Sequence, residues 1–227
     1  MAVRDIGSFV TCCDGCCGTD TVPAVPKYVD HTAQRQLVTQ VAAEIVAAHG
    51  VEALTVRAVA AGAGYSTAVV SHYFTDKRDL LRSTYRAAAN RSTLRLQSAG
   101  QRSSRSIAGC LEALLPVDED SRRDWRVFIA FWGVAAVDDE LRVEQADRVR
   151  TARERIVELL TDRGYGQALT PSDIRLRARG LLTTVQGIAV QAMFDPDDWT
   201  PRRQADELRR GTARILPVSD RPAGASA

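Results

Sequence analysis

An all-α fold of about nine helices is predicted by three features of this 227-residue chain. No segment alternates apolar and polar residues long enough to read as a half-buried strand. Apolar residues instead recur at helical spacing nearly throughout. Ser and Thr N-caps, first-turn prolines and terminal glycines mark where the helices begin and end. The predicted organisation is a loose tail over 1–30, a small three-helix domain over 31–78, a larger helical domain over 79–216 and a Pro/Gly/Ala/Ser tail over 217–227.

Helix 1 is predicted over 32–49, with Leu37, Val41, Ile45 and Ala48 on one face and Gly50 ending it. Thr55 caps helix 2, which runs to about Gly62. Ala63-Gly64-Tyr65 forms a turn, and Ser66 caps helix 3 over 67–74. Helix 4 opens near Thr75-Asp76 and passes Arg91. Five more helices follow, over 104–115 (stopped by Pro116), 121–137, 139–162, 171–194 and 201–216. Pro171 and Pro201 open the last two, where a missing N–H costs nothing.

Residues 55–74 are the informative stretch. Two helices this short are unstable alone, so Val56, Val59, Ala60, Val70 and Phe74 must pack on helix 1. Small Ala60, Ala61 and Gly62 permit close crossing, and Gly64 gives the turn its backbone freedom. The opposite face of helix 3 is then small and polar: Thr67, Ala68, Ser71 and His72. Such a face fits a DNA major groove about 12 Å wide. Hydroxyls of Ser66, Thr67 and Ser71 can bond base edges or phosphates, and Ala68 can meet a thymine methyl. Arg57 can reach a guanine edge or a phosphate. Thr55, Tyr73 and Lys77 stand at helix ends, placed to hold the DNA backbone. Charge agrees. The net value is +2, but 31–98 holds eight basic and four acidic residues, while 99–227 balances.

Gly50-Val51-Glu52-Ala53-Leu54-Thr55-Val56-Arg57-Ala58-Val59-Ala60, followed by Ser71-His72-Tyr73-Phe74-Thr75-Asp76-Lys77-Arg78-Asp79-Leu80-Leu81, resembles the TetR family of repressors. Ser66-Thr67 and Ser71-His72-Tyr73-Phe74 resemble its BetI-type branch, as does the stretch from Trp125 to Trp132 with Asp139-Glu140-Leu141-Arg142. Tyr65 departs from the smaller aliphatic residue usual in that turn. The resemblance implies a homodimeric repressor on a palindromic double-stranded operator, released by a small-molecule effector bound in the C-terminal domain.

In that domain Trp125, Phe128 and Trp132 share a helix face, with Phe131 beside Phe128. They are core, or they are walls of an effector cavity that receives a cation on the Trp faces; Gln186 and Met193 are further candidates for the lining. The segment 181–194 is apolar nearly all round, and Gly180 and Gly187 lie seven apart on it. Leu181, Val185, Ile188, Ala189 and Ala192, with Leu208 and Ile215 of the last helix, are expected to form half of an intersubunit four-helix bundle, or else to be buried in their own subunit.

Enzyme chemistry is not expected. There is no Gly-x-Ser-x-Gly elbow and no phosphate-binding Gly loop, and the histidines (His31, His49, His72) are scattered. No catalytic residue, cofactor or metal ligand is assigned. One alternative stays open: Cys12-Cys13-Asp14-Gly15-Cys16-Cys17 interleaves two Cys-x-x-Cys spacings, which a redox- or metal-responsive regulator would use; Cys110 reads as core. The longest apolar run, 127–137, is too short for a membrane span, which needs roughly 20 residues. With no cationic leader, a cytoplasmic protein with no membrane partner is expected.

Overall fold

The computed structural model describes residues 31–102 and 106–217. These contain nine α-helices and no strand: α1 His31–His49, α2 Val56–Ala63, α3 Thr67–Tyr73, α4 Lys77–Gly100, α5 Ile107–Leu111, α6 Glu119–Ala135, α7 Asp139–Asp162, α8 Pro171–Phe194 and α9 Pro201–Ile215. The tails and the Cys12, Cys13, Cys16, Cys17 cluster lie outside the described residues.

The caps explain why the boundaries fall where they do. Thr55 accepts a hydrogen bond from the Ala58 N–H at 3.1 Å, and Ser66 accepts one from Val69 at 3.3 Å. Gly64 takes φ +70°, which lets the Tyr65 N–H turn back to the Ala60 carbonyl at 2.9 Å and close α2. α6 starts two residues before the expected Ser121 because Asp118 and Ser121 form a reciprocal capping box. It also stops at Ala135, short of Val137. The expected 104–115 helix is cut to α5 and a 3-10 turn, Glu112–Leu114, since Pro116 holds Leu115 extended.

Helix α1 differs from expectation in the face it buries. Leu37 is 39% exposed and Ala48 is exposed, while Val38, Val41, Ala42 and Val46 are buried. The reason is that α1 is covered by α2 on one side and by α4 and α6 on another, which shifts the buried stripe by one position. Gly62 serves this contact and not the α2–α3 crossing: a Cβ there would come 2.7 Å from Val41 Cγ1 on α1.

Two apolar clusters hold the molecule together. The first joins Val38, Val59, Val70, Phe74 and Leu80 to Val127 and Phe131 of α6. The second joins the end of α4 to α5–α9. Helix α4 belongs to both, so it runs unbroken from the helix-turn-helix into the C-terminal layers.

Between them Asp124 is fully buried. Its Oδ1 accepts from Arg91 at 3.0 and 2.5 Å, and its Oδ2 from Arg95 at 2.9 Å, which locks α4 to α6.

Candidate DNA-binding face and effector cavity

Arg57, Ser66, Thr67, Ala68, Ser71 and His72 are all exposed, as the sequence pattern requires, because Val70 and Phe74 turn the other side of α3 into the core. The Thr55 and Ser66 oxygens accept from backbone N–H groups, which leaves each hydroxyl proton free to be donated elsewhere. Tyr73 is half-buried and tied to α1: its hydroxyl donates to Gln34 Oε1 at 2.7 Å and lies 2.6 Å from His31 Nδ1. Lys77 Nζ sits 3.5 Å from Glu52 Oε2. Gln34 and His31, to which the sequence pattern assigns no role, therefore stand against Tyr73 beside this face.

A cavity of about 110 Å³ opens between α4, α6, α7 and α8. Four of the expected residues line it: Trp125, Phe128, Trp132 and Gln186. The two indoles stand perpendicular, 5.8 Å apart, and Trp125 Nε1 donates to the Leu114 carbonyl at 2.8 Å. Phe131 does not line it. It is fully buried and stacks on Tyr85 at 3.9 Å, because its side of α6 faces α4 and the helix-turn-helix cluster. Met193 is also absent from the lining and packs against the C-terminal core.

The cavity also has polar walls. Helix α4 adds Tyr85, Ser92 and Thr93, and α7 adds Gln145, Arg148 and Arg155. Arg148 pairs with Glu144 at 3.0 Å, and Glu144 in turn accepts from Arg86 of α4 at 2.9 Å. Those two guanidinium groups hold the Glu144 carboxyl below its ordinary range against the opposing effect of burial. Further ion pairs join Arg78 to Asp138 at 2.7 Å and Arg82 to Glu140 at 3.5 Å. The α4–α7 seam is thus laced from the first turn of α4 to the cavity.

The Tyr85 hydroxyl donates to Gln145 Oε1 at 2.5 Å. Burial pushes its phenol up from 10.0 to about 12, against the opposing Trp132 indole N–H and Arg148 charge. A raised folded-state value means that the stability this group contributes is whole below pH 10 and is lost as pH climbs from 10 to about 12. Urea midpoints taken at about pH 9 and about pH 11.5 should fall further in the wild type than in Tyr85→Phe. Equal falls would contradict the burial of this phenol.

Comparison with known proteins covers the stretches that carry both features. Residues 38–84 match the model for bacterial regulatory proteins of the tetR family, and residues 104–217 match the model for the C-terminal domain of BetI-type transcriptional repressors. The chain belongs to the TetR family. It is 23% identical over 175 residues to the transcriptional regulator PksA of Bacillus subtilis, covering 76% of this chain and 84% of that one. Among solved structures it resembles a transcriptional regulator from Rhodococcus sp. Rha1, with a TM-score of 0.69 and 26% identity over 80% of this chain and 95% of that chain. A regulator from Saccharomonospora viridis, solved in complex with choline, has the same fold: TM-score 0.67 and 16% identity, covering 79% and 95%.

This TetR-family regulator is a DNA-binding transcription regulator with a ligand-binding C-terminal domain, and its relatives are regulators rather than enzymes. No helix among its described residues is long and apolar enough to cross a membrane. Of the seven residues expected either at a dimer interface or inside their own subunit, six take the second place. Leu181, Val185, Ile188, Ala189, Ala192 and Leu208 are buried in the subunit's own core, whereas Ile215 packs on Gly180 and stays partly exposed. An apolar helix covered by its own neighbours has spent those side chains. The free side of α8 carries Leu176 (63% exposed), Thr183, Gly187, Gln191 and Phe194 (73% exposed).

Proposed function

We propose that this regulator is a homodimeric repressor that holds a palindromic operator and is released when a small molecule enters the α4–α8 cavity. One observation carries the reading: α4 anchors the helix-turn-helix at its first turn and walls the cavity further along. Filling the cavity must shift α4 or the groups laced to it, and a shift of α4 moves the recognition helix.

Within this reading, Thr67, Ala68, Ser71 and His72 enter the major groove and Arg57 reaches a base edge or a phosphate. Thr55, Ser66, Tyr73 and Lys77 grip the backbone, with Tyr73 braced by Gln34 and His31. The exposed side of α8, together with α9, is the surface offered to a second copy, which would set two α3 helices on one face of the duplex. The reading places the protein in the cytoplasm, where a DNA-binding regulator meets its operator.

The test is selection of bound duplexes from random DNA, followed by sequencing. A two-fold symmetric motif is expected. Ser71→Ala and Thr67→Ala should change the preferred bases at inner positions of each half-site, with only a few-fold change in total affinity. A selection that returns no symmetric motif for the wild type, or identical motifs for all three proteins, would refute the assignment.

A further inference from the structure

We infer that the cavity takes an anion carried on a flat apolar body, of which a single-ring aromatic carboxylate is the simplest case. The inference rests on the reading of this cavity as the effector site and names the chemical class that fits it.

The charge of the lining is the first ground. Arg148 and Arg155 are in it, and no Asp or Glu is. Glu144 is already shared by Arg148 and Arg86, and Glu158 engages Arg155 Nη1 at 2.8 Å from a half-exposed position outside the lining. A cation seated against the two Trp faces would sit beside two guanidinium groups in a partly dehydrated space, while the carboxylates paired with them, Glu144 and Glu158, lie outside the lining. The perpendicular indoles alone would suit a quaternary ammonium; their Arg neighbours do not.

An unmet donor is the second ground. Arg155 Nε is buried and has no hydrogen-bond partner, and the buried Trp132 Nε1 has none beyond its interaction with the Tyr85 phenol. Buried N–H groups are nearly always paired. An unpaired guanidinium N–H in the cavity lining calls for an acceptor, and a carboxylate offers two oxygens that only accept. Glutamine and hydroxyl groups (Gln145, Gln186, Ser92) can complete its shell.

Size and surface are the third. Trp125, Phe128, Leu96, Leu182 and Val185 make the rest of the wall apolar and partly aromatic. The space of about 110 Å³ is of the order that admits one six-membered ring, since an apolar cavity of roughly 150 Å³ binds benzene.

Calorimetric titration of the full-length protein with benzoate, benzamide and benzyltrimethylammonium separates the classes at constant ring size. Benzoate should bind at least about tenfold more tightly than benzamide, and the ammonium should bind least. Arg155→Gln should remove most of the benzoate preference, and Trp132→Phe part of it, with helical circular dichroism unchanged. Benzamide or the ammonium binding as well as benzoate, no binding by any of the three, or an unchanged preference in both variants would overturn the inference. Displacement of the selected operator distinguishes this failure from failure of the repressor reading. Benzoate that binds without releasing DNA supports the ligand class and refutes effector release. Release by a neutral or cationic compound alone does the reverse.

Discussion

Asp124→Ala is expected to destabilise the protein by about 3 kcal/mol, the lower end of the range for removing one partner of a buried ion pair. Asp124 is fully buried and is the shared acceptor of Arg91 and Arg95, so its loss strands two guanidinium groups. The lower end applies because the two Arg side chains are 33% and 27% exposed and can recruit water. Arg95 also keeps its bonds to the Ala113 carbonyl and the Ser92 hydroxyl. Asp124→Asn, which retains acceptor geometry without the charge, should cost less. Urea unfolding followed by circular dichroism reads both. A loss below about 1 kcal/mol for the alanine variant would show that the α4–α6 lock is not what holds these helices together.

The second large effect concerns DNA. Ala68→Glu should lower operator affinity by roughly 100-fold or more at low salt while leaving the melting temperature near that of the wild type. Ala68 is exposed in the first turn of α3, where a carboxylate suits the helix dipole, so the fold has no reason to object. The groove does object, since the new charge would face a polyanion and its length would hold the ridge away from the base edges. Ala68→Ser, equally small and uncharged, should bind within a few-fold of wild type. Fluorescence anisotropy on labelled operator decides it, and a glutamate variant that binds normally would remove α3 from the interface.

Both predictions build on features that differ in how openly the sequence displays them. The starts of α2, α3, α8 and α9 were readable because Thr55, Ser66, Pro171 and Pro201 act locally, through caps and first-turn chemistry. The exposed ridge of α3 was readable for the same reason: with Val70 and Phe74 inward, seven residues leave little choice. The buried face of α1 was not, because three neighbouring helices decide it and a single periodic stripe cannot register that.

The cavity was half visible. Aromatic spacing pointed to Trp125, Phe128 and Trp132, but whether Phe131 turns toward the cavity or toward Tyr85 depends on where α4 lies. Gln145, Arg148 and Arg155 were hidden among the charged residues of α7, many of which pair with neighbours three or four positions away. Their spacing, with Val149 and Ala152 between them, does trace one helical face. An apolar helix such as α8 carries the opposite ambiguity, since burial within a subunit and burial between subunits demand the same residues.

Gly211 has a wider mechanical meaning. A Cβ at this position would stand 2.7 Å from Thr184 Cγ2, so the bare backbone of α9 is keyed into α8 at one place and cannot slide along it by a turn without a collision. The two helices are thereby held in one register. In the proposed release mechanism α8 and α9 would then move as one, and the displacement caused by a molecule in the neighbouring hollow would fall on the helices opposite them.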